Sequence, residues 1–133
     1  MKIKLNDNTE LNVICINGKS TYFQGANRDS LEIVFKKGDY PFDQLDSLFA
    51  NATKTKKVSV IDIVTTTDTE GKTVETPTEH IYEDYSLRVS MEMKPVVIIP
   101  ATSTAQEVTE ERIMITMGQL TLIEKKLSEL GVL

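Results

Sequence analysis

The sequence predicts a mainly β, α+β domain: a small antiparallel β-barrel or sandwich with one short internal helix and a C-terminal helix. Three observations carry that prediction. Alternating apolar and polar stretches dominate, most cleanly in "LRVSMEM" (87–93) and "RIMITM" (112–117). Two stretches follow the helical period instead, "PFDQLDSLFAN" (41–51) and "LTLIEKKLSEL" (120–130). The bulk figures, 133 residues with 40% hydrophobic and 26% charged, fit a single folded domain with a modest core. Residues 1–117 read as the β-rich domain, with the short helix near 41–50 and a polar hairpin near 65–80. Residues 118–133 read as a C-terminal amphipathic helix.

At the start, Ile3 and Leu5 alternate with lysines, and "NDNT" (6–9) supplies Asn and Asp turn chemistry before "LNVICI" (11–16). A further strand is possible over Ser20 to Gln24, and "LEIVF" (31–35) is built of β-formers. In the internal helix Pro41 suits a first turn and Asp43 complements the dipole. Phe42, Leu45 and Phe49 form its stripe, a plug for the end of a sheet.

Val58, Val60, Asp62 and Val64 share one strand face, with Ser59, Ile61 and Ile63 on the other. Two partly apolar faces place this strand centrally in the fold. The Thr-rich run from Thr66 to Thr76, with a turn at Glu70–Gly71, reads either as a projecting polar hairpin or as a loop. In "LRVSMEM" the alternation sends Leu87, Val89, Met91 and Met93 inward and Arg88, Ser90 and Glu92 outward. "PVVIIP" is bracketed by Pro95 and Pro100, which confines Val97 and Ile99 to an edge strand or an extended surface segment. An apolar edge needs cover from its own fold or from a partner. "ATSTAQEVTEE" (101–111) has no periodicity and reads as a linker, after which Ile113, Ile115 and Met117 share a face.

From Gly118, Leu120, Ile123, Leu127 and Leu130 are spaced as a coiled-coil seam. Gly118 can take a sharp change of direction, and Gly131 suits a helix stop. So short a helix is marginal alone, and the stripe must pack on its own sheet or on another subunit.

The formal net charge of −5 argues against nucleic acid as a partner. No membrane partner is expected, since the longest aliphatic run is "VVII" (96–99). "MKIKLNDNTE" lacks the apolar core of a leader, which points to synthesis in a cytoplasm. The single cysteine, Cys15, sits among Val13, Ile14 and Ile16 and reads as a buried core residue. The single histidine, His80 in "TEHIYEDY", has acidic neighbours Glu79, Glu83 and Asp84, but no zinc-binding spacing of histidines accompanies it. No nucleophile elbow, calcium loop or phosphate-cradling glycine run is present. We therefore expect no catalytic residues, no metal, no cofactor and no enzymatic activity.

A short hairpin is followed by "QGANRDSLEIVF", the "FDQLDSLF" helix, "HIYEDYSL" leading into a strand, and "TEERIMITMGQLTLIEKKLSEL". That segment order resembles small structural proteins of tailed bacteriophages, of the tail and baseplate type found in prophages of Gram-positive bacteria. It implies a β-rich unit of a homo-oligomer, contacting other virion proteins and located in a virion assembled in the host cytoplasm. On that reading Leu120, Ile123, Leu127, Leu130, Val97 and Ile99 are the interface residues, and the Thr-rich hairpin is an arm. The alternative is a small binding module for a cell-surface carbohydrate or protein, with Tyr82 and Tyr85 as a platform. A hydrolase, the third class, would need carboxylates converging in a deep pocket.

Overall fold

A computed structural model describes residues 1–131; Val132 and Leu133, the end of the predicted helical segment, lie outside the described residues. The elements run β1 (Lys2–Lys4), β2 (Glu10–Asn12), β3 (Cys15–Phe23), β4 (Ala26–Lys36), α1 (Phe42–Ala50), β5 (Lys57–Thr67), β6 (Thr73–Glu83), β7 (Leu87–Ile99), β8 (Val108–Gly118) and α2 (Leu122–Glu129). They form two four-stranded antiparallel sheets, β2-β1-β5-β6 and β3-β4-β8-β7. Two separate sheets fit the sandwich rather than the barrel.

One apolar cluster joins them. Ile3, Leu11 and Val58 come from the first sheet; Leu31, Ile33, Phe35, Ile113, Ile115 and Met117 come from the second. The pairings Ile33↔Ile115 and Phe35↔Ile113 put the predicted alternation of β8 directly against that of β4. Helix α1 closes the cluster with Leu45 and Phe49, both fully buried, while Phe42 stays partly exposed. Full burial of a side chain of this size contributes about 1.5–3 kcal/mol, so this cluster is the main source of stability.

Several local readings change. A bulge between Arg88 and Ser90 breaks the alternation of β7, so Arg88 faces Met117's side and Leu87 lies opposite Gly118. Arg88 turns to α1, where it pairs with the Asp46 carboxylate and donates to the Asp46 carbonyl at 3.1 Å. Met91 and Met93 keep the face of Ile115 and Ile113. Only residues 101–107 of the expected linker are loop, because Val108 to Glu111 already belong to β8. Cys15 is half-buried, opposite Val34, on the face of the second sheet away from the core. Its aliphatic neighbours in sequence do not surround it in space.

Gly118 ends β8 instead of opening the last helix. A Cβ there would stand 3.1 Å from Val89 and 3.2 Å from Arg28, so the glycine serves close packing rather than a sharp turn. Helix α2 starts four residues later, where Thr121 and Glu124 form a reciprocal capping box. Gly131 does stop the helix, with φ +74°.

Candidate functional site

The two longest hairpins leave the core part-way along their length. The first is β5–β6. Its base is built into the sandwich, with Val58 and Ser59 buried, but residues 62–81 are exposed on both faces. The ladder nonetheless continues in register to Thr67↔Thr73. The tip is closed by Asp68, whose carboxylate accepts from the backbone N–H of Glu70 at 2.9 Å and of Lys72 at 2.8 Å. Gly71 takes the left-handed conformation there, with φ +80°. The Thr-rich segment is thus an ordered arm, and it carries exposed Ile63, Val64 and Val74.

The second arm is the distal half of β7–β8. Strand β7 is an edge of its sheet, as Pro95 and Pro100 require. Val97 is 49% exposed and Ile99 53%, with Met93, Ile98 and Val108 also open to solvent. A second bulge lies between Val97 and Ile99, so Val97 shares the side of Thr109 and Ile99 that of Val108. The tip therefore offers aliphatic surface both ways. Five large apolar side chains on one exposed hairpin exceed the scattered single residues usual on a monomer.

Helix α2 supplies a third apolar surface. Leu120 and Leu127 are half-buried, whereas Ile123 and Leu130 are 72% and 76% exposed, as is Leu122 on the neighbouring face. None of the four seam residues is fully covered by its own chain. Polar contacts hold the helix in their place. The Arg28 side chain, 1% exposed, donates to the carbonyls of Phe23 at 2.8 Å and Gln119 at 3.1 Å and forks onto the Glu124 carboxylate. Lys125 reaches Asp84 at 3.4 Å, and the Asp84 carbonyl accepts from Leu120 N–H at 2.9 Å. Asp84 does this from a left-handed conformation, φ 65°, at the turn between the two arms.

No protein-family model, curated protein or solved structure matches the chain.

Arg28 and Glu124 were not singled out by residue pattern. The available signal was "TLIE" (121–124), a capping-box sequence; nothing local marked Arg28, which lies 96 positions away from its partner. Fork-to-fork bonding from Arg28, with further help from Thr121, lowers the Glu124 carboxyl to about 2. The sign follows directly. A carboxylate held below its ordinary 4.5 stabilises the fold above that pH, and the contribution fades as pH falls toward 2. We expect the stability difference between the wild type and Glu124→Gln to shrink steadily between pH 5 and 2.5. Urea unfolding across that window checks it; a difference independent of pH would contradict the pairing.

The remaining polar groups are dispersed. His80 lies over Tyr82 with ring centroids 4.5 Å apart, and Tyr82 meets Tyr85 edge-on at 5.6 Å. Tyr82 and Tyr85 both pack on the core, and burial pushes the Tyr85 phenol up. Glu79 and Glu83 sit on the opposite face of β6 from His80. Among the described residues no three metal-ligating side chains converge. A groove of about 770 Å³ beside α2 mixes Lys56, Lys57 and Lys125 with Glu83, Asp84 and Glu129. Charges of both signs line it, so it selects neither anion nor cation. No helix is long and apolar enough to cross a membrane among the described residues.

Proposed function

We propose that this chain is a non-enzymatic assembly protein that works through oligomeric interfaces, as a tail or baseplate component of a tailed-phage or prophage virion. The observation that supports it is the pair of ordered hairpin arms that leave the core bearing aliphatic residues on exposed faces. Keeping Val97, Ile98 and Ile99 in water has a hydrophobic cost of about 25 cal/mol per Å², which a partner surface would recover. The uncovered Ile123 on α2 and Leu130 just past its end support the same reading. The virion assignment adds the resemblance in segment order. A carbohydrate platform finds less support, because Tyr82 and Tyr85 pack on the core.

Absolute mass in solution tests the proposal. The wild-type chain should be a trimer or larger ring by light scattering, and Val97→Asp/Ile99→Asp should shift it toward a monomer that still unfolds cooperatively. Both positions lie far from the core cluster, so a change in mass reports the interface. A wild type that stays monomeric at high concentration would overturn the assembly reading.

A further inference from the structure

Two surfaces of opposite charge lie on the outer faces of the two sheets. Residues directly opposite in antiparallel strands share a face, so the register aligns Lys36, Arg112 and Lys94 in one row across β4, β8 and β7. The row continues the face of Val34 and Met114, away from the core. Like charges directly opposite one another are unfavourable, and a chain of net charge −5 has carboxylates to spare for separating them. Yet Lys36 and Arg112 form no ion pair among the described residues. The Arg112 Nε is shielded from solvent and has no hydrogen-bond partner. Lys94 reaches Glu92 at 3.4 Å, and Glu92 and Glu110 are the carboxylates flanking the row on this face.

On the other sheet, Glu75, Glu79 and Glu83 repeat along the outer face of β6. None of the three forms an ion pair among the described residues, although Glu83 stands opposite Lys57 at the base. Ile63, Pro77 and Ile81 lie between them on the same face, with Ile63 57% exposed. The spacings agree in one orientation. Three adjacent strands put Lys36 and Lys94 roughly 10 Å apart across the sheet, while four residues separate Glu75 from Glu79 by about 13 Å along the strand. Flexible lysine stems cover the difference if β6 crosses β4, β8 and β7 at a steep angle.

We propose that the outer face of the β5–β6 arm of one copy docks across the Lys36–Arg112–Lys94 row of a second copy, Glu75 and Glu79 meeting the row's two lysines. The inference rests on the assembly reading and names its partner surface. Val96 and Met114, half-buried beside the row, lie where Ile63, Pro77 and Ile81 would cover them. The contact uses different surfaces on the two copies, so its repetition closes a ring or extends a filament.

Charge reversal on exposed positions tests this with the full chain. Glu75→Lys/Glu79→Lys and Lys36→Glu/Lys94→Glu should each weaken self-association by roughly tenfold or more. Mixed together they should assemble again, since each variant's arm then suits only the other's row. Sedimentation velocity reads all three, with thermal melting to show that both variants fold. An oligomeric wild type whose reversed variants assemble equally well would overturn this interface and leave the assembly reading standing. Loss of assembly without recovery on mixing would also overturn it. A monomeric wild type would overturn both.

Discussion

Replacing Phe49 by alanine should cost about 3–5 kcal/mol of folding stability, a large share of the 5–15 kcal/mol that a domain of this size commands. Phe49 is fully buried, edge-on to Phe35 with ring centroids 5.8 Å apart, and Phe35 in turn meets Tyr40 at 6.1 Å. Phe35 belongs to β4, the strand hydrogen-bonded to β3 and β8. Removing the Phe49 ring opens a void where the helix seals the sheet, and the surrounding strands are too constrained by their ladders to collapse into it. Phe42 supplies the control. It sits on the same helix at 39% exposure, so Phe42→Ala should cost less than about 1 kcal/mol. Urea unfolding of both variants separates burial from helix propensity, because the two substitutions change propensity alike. Equal effects would mean that α1 does not plug the sandwich.

The fold was legible wherever burial differs sharply between the two faces of an element. Ile113, Ile115 and Met117 alternate with more accessible or polar neighbours, and Leu45 and Phe49 fall on one helical face; pattern and packing agree there. Legibility failed where one residue shifts the count. The bulge at Arg88/Ser90 moves Arg88 to the α1 side, and no residue in "LRVSMEM" announces it. It failed again on the arms. Ile61 and Ile63 are the same residue type two positions apart on the same outer face, yet one is half-buried and the other projects into solvent. A strand's aliphatic residues say that apolar cover is needed, without saying whose. Of the candidate site, Val97 and Ile99 are visible in the sequence as apolar residues at an edge, whereas the helical seam shows only as a stripe that needs cover, with its own sheet and another subunit equally open to it. The charge row was not, because it exists only through the pairing of three strands far apart in sequence.

The attachment of α2 should prove electrostatic, and Glu124→Gln isolates the effect. Glutamine keeps the capping box at this position, so the helix start survives and only the charge is lost. What remains is a guanidinium 1% exposed to solvent without a counter-charge, a situation that costs about 3 kcal/mol or more. Arg28→Met in the same background removes the stranded charge. The double variant should recover at least about 1 kcal/mol of the loss, though not all, since the Phe23 and Gln119 carbonyls then lose their donor. Helix α2 has no buried residue to hold it otherwise, so hydrogen exchange over 122–129 should accelerate in Glu124→Gln before the core strands do. Were the single variant as stable as the wild type, the helix would owe its place to contacts of Leu120 and Leu127 instead. The expected result gives the chain a helix fastened chiefly by the Arg28–Glu124 latch, beside the outer Lys125–Asp84 pair, with Leu122 and Ile123 open to a partner.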